Sequence, residues 1–366
     1  MNSPLRAIIA DDSVLYRAVI VRTLMGLGNV EVVAQAANGA EAVEQVRKYG
    51  PDLMTLDLNM PVLDGLGTLR ALREAKLCCE VIVVSSATRQ GASATLEALQ
   101  LGAVDFIAKP AEDSAKVSSD ILSFELRRQL AAIRLRRDRR HRIQEARASS
   151  ARMAAAPNLE KLSAPPISLS TLPPELVAIG TSTGGPAALP VLLSALPGDL
   201  GVPVLIVQHM PPMFTASLAE SLSRKCSLSV QEAHNGQLIL PDHIYIAPGG
   251  RHMKVKRAFD KSVRIVVSDD PPENHCRPSV DVMFRSVAQE YGGRVVAAIL
   301  TGMGNDGVAG LRVLKGLGAY VIAQDEASCT VFGMPQEAIK AAVVDSVRPL
   351  DRIAPAIIAA LRPNGQ

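Results

Sequence analysis

Short apolar runs alternate with amphipathic stretches along the first 125 residues of the chain. The runs have the length of buried strands, and stretches such as Ser13–Met25 and Gly39–Tyr49 repeat their apolar positions with the period of a helix. This alternation predicts a parallel sheet with helices on both faces, built from five strand and helix pairs. The predicted strands are Arg6–Ala10, Glu31–Ala34, Leu53–Leu56, Val81–Val84 and Ala103–Ile107.

A second alternating pattern begins at Glu175 with LVAIG and continues through VPVLIVQH, HIYIAP, VRIVVS, VVAAILTGM and AYVIAQD. Between the two patterns, Phe124–Arg147 is rich in arginine and Ala148–Pro174 is rich in Ala, Ser and Pro. This composition is typical of a last helix that leads into a linker. We therefore predict two doubly wound α/β domains with parallel sheets, over residues 1–125 and 173–366, joined by a basic helix and linker over 126–172.

The composition of the 366 residues is that of a globular protein: 48% are apolar and 20% are charged, and the mean hydropathy is +0.18. These values exclude a mostly disordered chain. No apolar run approaches the roughly 18 residues that span a bilayer, so we expect a cytoplasmic protein that is not inserted into a membrane. The five cysteines contain no CxxC pair. Most are expected to be reduced core residues, with a zinc site or a cysteine nucleophile as the minor alternative.

Polar residues follow or end the predicted strands of the first domain. Asp11 and Asp12 come directly after the first strand, and Asp57 comes directly after the third. Ser85 and Lys109 stand at the ends of the fourth and fifth. Open parallel sheets bind ligands beyond the carboxyl ends of their strands, so these side chains are expected to meet. Three carboxylates repel one another unless a hard cation such as Mg²⁺ joins them, and a nearby lysine balances the charge of a phosphoryl group.

These residues lie in stretches that resemble the receiver domain of bacterial two-component response regulators: IIADDSVLYR, LDLNMPVLDG, VVSSAT and GAVDFIAKP. The resemblance implies a flavodoxin-like fold. It also implies that Asp57 accepts a phosphoryl group from a histidine kinase. Mg²⁺ would be bound by Asp57, by the acidic pair Asp11 and Asp12, and by the backbone carbonyl of Asn59. Ser85 would be the hydroxyl that moves toward the phosphoryl group. Lys109 would be the basic partner and Phe106 the aromatic switch residue.

The second domain carries a candidate nucleophile. Residues 180–184, GTSTG, fit the pattern G-x-S-x-G, which places a serine hydroxyl at a helix N-terminus. A phosphate-binding turn is the alternative, although the lysine of a P-loop and the spacing of GxGxxG are both missing. His209 and Asp306 also follow predicted strands, so a base and an orienting acid would share the sheet edge with Ser182. The order Ser, His, Asp disfavours the α/β-hydrolase fold, in which the histidine comes last.

The second domain resembles the catalytic domain of bacterial chemotaxis protein-glutamate methylesterases, the CheB family. The resemblance rests on the segments GTSTGGP, VQHMPPMFT, IYIAPGGRHM, RPSVDVMF, AAILTGMGNDGVAG and AQDEASCTVFGMPQEAI. It implies a Rossmann-like fold with Ser182 as the nucleophile, His209 as the general base and Asp306 as the orienting acid. Backbone amides in the turn at Thr183, and at Met303 beside the site, would hold the oxyanion. The order of receiver, linker and esterase is also that of the family.

The implied reaction is hydrolysis of glutamate methyl esters on chemoreceptors, with deamidation of receptor glutamines as a second activity. The partners implied are methyl-accepting chemotaxis receptors as substrate and a chemotaxis histidine kinase as phosphodonor. No cofactor is expected beyond Mg²⁺ in the receiver, and none for the esterase reaction. Thr181 stands where the family usually has alanine, a small change that is expected to leave the activity intact.

Two other functions compete with this hypothesis. Nine arginines between Arg127 and Arg147 could neutralise nucleic-acid phosphates, as in a phosphorylation-controlled transcription factor. However, no helix-turn-helix pattern follows and aromatic residues are only 3% of the chain, so no nucleic-acid partner is expected. The other competitor is an esterase-like scaffold without turnover, which an assay would separate from an enzyme.

Overall fold

A computed structural model describes residues 3–86, 88–109, 122–137 and 172–362. The chain divides into two units, Met1–Ile133 and Arg134–Gln366. Most of the predicted linker, from residue 138 to 171, lies outside the described residues, and the predicted domain boundaries stay predictions. Within the described ranges, no helix combines the length and the apolar character needed to cross a membrane.

The first unit is built on a five-stranded parallel sheet in the order β2-β1-β3-β4-β5. This is the flavodoxin-like strand order, in which the chain reverses direction across the sheet between β1 and β3. The elements are β1 Leu5–Ala10, α1 Val14–Gly26, β2 Val30–Ala36, α2 Gly39–Tyr49, β3 Leu53–Asp57, α3 Gly65–Glu74, β4 Glu80–Ser86, α4 Arg89–Gln100, β5 Asp105–Lys109 and α5, a helix over 122–137.

Local sequence explains where the helices of this unit begin. The residue directly before each of the first four helices accepts, with its side chain, a hydrogen bond from the backbone N–H three residues later. This bond satisfies a donor that the helix leaves unpaired. These N-caps are Ser13, Asn38, Asp64 and Thr88. In α5, Leu122, Leu126, Leu130 and Ile133 recur at helical spacing and join the core beneath the sheet.

The fifth strand differs from its prediction. It runs over Asp105–Lys109, two residues later than the predicted Ala103–Ile107. Gly102 adopts a φ of 113°, and the Ala103 N–H still bonds to the Ala98 carbonyl at the end of α4. Ala103 is buried in this helix-ending turn, so its apolar side chain looks like a strand residue in the sequence.

The second unit is built on a seven-stranded parallel sheet in the order β14-β13-β12-β6-β7-β9-β8. The prediction of two doubly wound parallel sheets is therefore confirmed. The elements are β6 Leu176–Thr181, α6 Gly185–Ser194, β7 Val204–Gln208, α7 Phe214–Ser223, β8 Ser229–Glu232, β9 His243–Ile246, β10 His252–Arg257, β11 Val263–Ser268, α8 Val280–Tyr291, β12 Val295–Ile299, α9 Val308–Gly316, β13 Tyr320–Gln324, α10 Met334–Lys340, β14 Ser346–Arg348 and α11 Leu350–Leu361.

One apolar run of the second pattern does not enter this sheet. VRIVVS forms β11, which pairs with β10 in a separate antiparallel hairpin. Its alternating burial, with Ile265 and Val267 inward, is what one covered face produces. The chain starts in the middle of the large sheet at β6 and fills one side before the other, so the switch point lies between β6 and β12. Open α/β sheets bind ligands at such a point.

Candidate active site

Three carboxylates of the first unit converge at the carboxyl edge of its sheet. One ligand oxygen each from Asp11, Asp12 and Asp57 lies within 4.8 Å of the others. Lys109 Nζ donates to Asp57 Oδ2 at 2.7 Å and to Asp11 Oδ2 at 3.0 Å, and it lies 4.7 Å from the centre of the Tyr16 ring. The structure therefore brings together residues from the ends of β1, β3 and β5.

The charges of this cluster do not balance. Lys109 contacts two of the three carboxylates, those of Asp11 and Asp57, and burial raises the pKa of Asp57, although the lysine counteracts part of the rise. The donors are all oxygen atoms, the type that hard cations such as Mg²⁺ prefer, so the residues fit that ion chemically. Asn59 lies on the surface two residues beyond Asp57, and its backbone N–H approaches Asp57 Oδ1 at 3.5 Å.

Ser85 and Phe106 lie on neighbouring strands, β4 and β5, and both are buried. The Ser85 hydroxyl donates to the Gly91 carbonyl at 3.3 Å. β4 pairs with β3 so that Val84 lies opposite Asp57, which places Ser85 one residue beyond the level of that carboxylate.

In the second unit, Ser182 occupies the turn between β6 and α6. Gly184 has a φ of 83°, a left-handed conformation that favours glycine. A Cβ on Gly185 would lie 1.9 Å from the side-chain oxygen of Gln208. Both glycines are therefore required for the sharp turn that places Ser182 at the N-terminal end of α6.

Neighbouring strands hold this turn from both sides. The Thr301 carbonyl, beyond β12, accepts hydrogen bonds from the Ser182 N–H and the Thr181 hydroxyl, both at 3.0 Å. The Thr301 hydroxyl donates to the Thr183 carbonyl at 2.9 Å. From β7, the Gln208 amide donates to the Ser182 carbonyl at 2.9 Å. The backbone of the serine turn is thus fixed before any ligand arrives.

His209 follows β7 and Asp306 follows β12, so they approach the serine turn from opposite sides of β6. His209 Nε2 and Asp306 Oδ2 are 2.8 Å apart, and the two side chains are only 7% and 3% exposed. The other ring nitrogen, Nδ1, lies 3.7 Å from Cys276 Sγ. The Ser182 hydroxyl has no hydrogen-bond partner among the described residues. The structure therefore joins the histidine to the acid but not to the serine.

Protein donors surround the carboxylate of Asp306. They are His209 Nε2 at 2.8 Å, the Val280 N–H at 2.7 Å, the Ser279 hydroxyl at 2.8 Å, the Asn274 amide at 3.1 Å and the Asp281 N–H at 3.2 Å. Burial opposes ionisation, but these donors outweigh it and lower the pKa of Asp306. Its negative charge is therefore balanced by the protein itself.

The imidazole of His209 lies between an anion and a thiol. Burial disfavours the imidazolium, but the neighbouring Cys276 sulfur and the Asp306 carboxylate favour it more, and the pKa of His209 is raised to about 9. When the ring is neutral and its Nε2 proton is directed at Asp306, Nδ1 carries the lone pair that can accept a proton.

Two backbone positions near Ser182 could bind an anionic oxygen. The Met303 N–H makes no hydrogen bond within the described residues. The preceding residue packs closely on the serine, because a Cβ on Gly302 would lie 2.8 Å from Ser182 Cβ. Thr183 is buried in the serine turn itself. The Ser182 N–H is not available, since it already bonds to Thr301.

Several residues that hold these groups are not evident from the sequence. Ser279 lies in the segment RPSVDVMF, which carries part of the family resemblance, and Gln208 directly precedes His209. Thr301 lies in AAILTGMGNDGVAG, another of those segments, whereas Asn274 and Cys276 have no comparable signal. The expectation that most cysteines are core residues is wrong: of the five, all within the described residues, only Cys329 is buried, Cys78 is exposed, and the other three are half-buried. None of the five forms a disulfide.

The sequence matches two family models, CheB methylesterase over residues 177–357 and response regulator receiver domain over residues 7–118. It is 42% identical to a protein-glutamate methylesterase/protein-glutamine glutaminase of Desulfotalea psychrophila, over 97% of this chain and 98% of that protein. A protein of the same name from Salmonella typhi is also 42% identical, over 98% of this chain and 97% of that protein.

A solved structure matches the second unit. The crystal structure of the Thermotoga maritima CheB methylesterase catalytic domain superposes with a TM-score of 0.50 and 40% identity, and it covers 51% of this chain and 98% of that one. Together with the full-length relatives, this match confirms the predicted family. The chain belongs to the CheB methylesterase family, in the form that carries a response regulator receiver domain ahead of the catalytic domain.

Proposed function

We propose that this protein is a phosphorylation-regulated serine hydrolase that removes methyl groups from glutamate methyl esters on chemoreceptors and deamidates receptor glutamines. The observation that carries the proposal is the buried His209–Asp306 pair at the sheet edge that also holds the Ser182 turn. The name shared by the full-length relatives, protein-glutamate methylesterase/protein-glutamine glutaminase, supports both activities.

Acylation begins at Ser182. His209 Nδ1 takes the hydroxyl proton as Oγ attacks the ester carbonyl, and Asp306 stabilises the imidazolium that forms without taking a proton itself. Because the resting structure has no bond between Ser182 and His209, a side-chain rotation on substrate binding has to bring Oγ to Nδ1. Apo structures often show such catalytic hydrogen bonds long or unmade.

The tetrahedral intermediate places a negative charge on the former carbonyl oxygen. The backbone N–H groups of Met303 and Thr183 are the proposed donors for that oxyanion, and their position is set by the fixed turn. His209 then protonates the leaving group, which is methanol from an ester or ammonia from a glutamine. Water attacks the acyl-enzyme in the reverse sequence and leaves a glutamate on the receptor.

The first unit supplies the regulation. Asp57 is the proposed phosphoacceptor, and a chemotaxis histidine kinase is the proposed donor. Asp11, Asp12, Asp57 and the Asn59 carbonyl would hold Mg²⁺, which neutralises charge on the phosphoryl group. Lys109, at the end of β5, contacts Asp57. Ser85 and Phe106 would change position after phosphorylation. The esterase reaction needs no cofactor, and the enzyme acts on receptors from the cytoplasm without inserting into the membrane.

Phosphorylation can alter the rate only if it favours one arrangement of the protein over another. We infer that the receiver restrains the esterase until Asp57 is phosphorylated. A fragment that starts at Leu172 is therefore expected to be more active than the unphosphorylated full chain and indifferent to phosphodonor. A fragment no faster than the full chain would exclude simple restraint and leave activation by organising the active site.

The activity itself is tested by mass spectrometry of receptor peptides. Incubation with the protein should remove methyl groups from esterified glutamates and convert glutamines to glutamates, and Ser182→Ala should do neither. Ser194→Ala is the matched control, because Ser194 is an exposed serine at the other end of α6. Equal conversion by Ser182→Ala and the unmodified chain would refute the proposal.

A further inference from the structure

Cys276 touches the proposed base but has no part in the hydrolysis described above. Its Sγ lies 3.7 Å from His209 Nδ1, the nitrogen that has to take the Ser182 proton. The residue is half-buried, so its thiol is not sealed from solvent. The thiol is therefore a direct neighbour of the lone pair on which the proposed reaction depends.

The groups around His209 form a mixed set of metal ligands. One ligand atom each from His209, Cys276 and Asp306 lies within 4.8 Å of the others. Nitrogen, sulfur and carboxylate oxygen are the ligands that zinc uses, whereas Mg²⁺ takes oxygen ligands. In a tetrahedral site with Zn–S of about 2.3 Å and Zn–N of about 2.0 Å, two such ligands are about 3.6 Å apart. The 3.7 Å between Sγ and Nδ1 already has this spacing.

Asp306 prepares the ring for a metal as well as for catalysis. Its hydrogen bond fixes Nε2 as the donor, so that the Nδ1 lone pair points to the side of Cys276. Carboxylates hold metal-binding histidines in this way in many zinc sites. The donors from Ser279 and Val280 keep Asp306 in place, so the histidine would not need to reorient when an ion arrives.

We propose that His209 Nδ1 and Cys276 Sγ bind a thiophilic divalent cation such as Zn²⁺, with Asp306 orienting the ring, and that the bound ion inhibits the esterase. Binding releases the thiol proton and, where the ring is protonated, the Nδ1 proton of His209 to solvent, and it forms one Zn–S and one Zn–N bond, with water in the remaining positions. The inhibitory consequence rests on the proposed function, because the ion occupies the nitrogen that accepts the Ser182 proton. The metal site itself does not depend on it.

Cobalt, which reports a thiolate ligand through a charge-transfer absorption band, tests the site directly. Co²⁺ is titrated into the full-length protein, unmodified and as Cys276→Ser or Cys226→Ser. Cys226 is the matched control, because it is also a half-buried free cysteine. The unmodified chain and Cys226→Ser should each develop the band, and Cys276→Ser should lose it. The oxygen ligands around Asp57 cannot give this band.

Persistence of the band in Cys276→Ser, or its absence from the unmodified chain, overturns the site. Thermal unfolding checks that each variant is folded, and Cys276→Ala repeats the titration without a hydroxyl that could replace the sulfur.

Inhibition is measured separately as methanol release in the presence of Zn²⁺, with each variant compared with its own zinc-free rate. Cys276→Ser should raise the concentration for half inhibition by at least about 100-fold, since losing an outer partner of a metal site alone costs about 10- to 100-fold in affinity. A chelator should restore the unmodified enzyme. If a protein that shows the cobalt band still releases methanol at its full rate with Zn²⁺ bound, the inhibitory role is wrong. If no variant releases methanol even without zinc, the proposed function fails while the cobalt result still decides the site.

Discussion

The two units place aspartates at the same kind of sheet edge but surround them differently. In the second unit, Asp306 accepts hydrogen bonds from five protein donors, and its charge is balanced without any ion. In the first, Asp11, Asp12 and Asp57 come together around Lys109. The surroundings of Asp306 are complete as folded, whereas the carboxylate cluster of the first unit has an excess of negative charge.

This difference separates a catalytic carboxylate from a signalling one. A carboxylate that orients a histidine works best when it is rigid and permanently ionised, which buried donors achieve. A carboxylate that has to accept a phosphoryl group and later release it needs an incomplete environment, which a cation and the new phosphoryl oxygens can fill.

The largest effect is expected from Ser182→Ala. Removal of the nucleophile should lower kcat for methyl ester hydrolysis by about 10⁴- to 10⁶-fold, as in other serine hydrolases. Phosphorylation of Asp57 should be unaffected, because the two sites lie in different units. Methanol release and phosphodonor labelling of the same preparation measure both. Loss of labelling in this variant would indicate a folding defect rather than a lost nucleophile.

Asp306→Asn should cost less, about 10²- to 10⁴-fold in kcat. The amide can still contact His209 but cannot stabilise the imidazolium, and it turns an NH₂ group toward donors such as the Val280 N–H. KM should change little, because Asp306 is buried behind the histidine. Steady-state kinetics and a melting curve check the two consequences, and a loss as large as that of Ser182→Ala would favour collapse of the network over lost orientation.

Removal of divalent cations should affect the activities of the two units differently. Chelation is expected to abolish labelling of Asp57 and with it any stimulation by phosphodonor, because the three carboxylates otherwise repel the incoming anion. Basal ester hydrolysis should continue, since Asp306 already has its donors. Asp57→Asn should behave like the chelated protein at every Mg²⁺ concentration. Labelling that survives chelation would contradict the charge argument.

The smallest effect concerns the pH profile of the esterase, measured with chelator present. The general base works as neutral imidazole, and the pKa of His209 is raised to about 9, so the rate should still increase as the pH rises above neutrality. Cys276→Ala removes one of the two groups that favour the imidazolium, which should lower that pKa. The rising part of the pH–rate profile of this variant should therefore move to lower pH, and its rate at neutral pH should be severalfold higher. An unchanged profile would show that the thiol does not act on His209.

Much of this contrast could be predicted from the sequence because it depends on strand ends. Asp57 and His209 each follow an apolar run, and parallel topology brings such positions to one edge. The turn at Ser182 could be predicted because its glycines and its nucleophile are contiguous.

Contacts that join distant segments could not be predicted in this way. Cys276 meets His209 across 67 positions of the chain, and Thr301 reaches the serine turn across about 120. Neither periodicity nor a local motif indicates that these residues meet. The displacement of VRIVVS into a hairpin has a similar cause. An apolar run predicts a strand but does not specify which strand it pairs with.

The central claim is that a serine site in one unit does the chemistry and an aspartate in the other sets its rate. Methanol release from methylated receptor membranes, with and without phosphodonor, tests it directly when the unmodified chain, Asp57→Asn and Ser182→Ala are compared. We expect release by the unmodified chain that phosphodonor accelerates, release by Asp57→Asn that phosphodonor does not change, and no release by Ser182→Ala. Release by Ser182→Ala at the unmodified rate, or acceleration of Asp57→Asn by phosphodonor, would contradict the account.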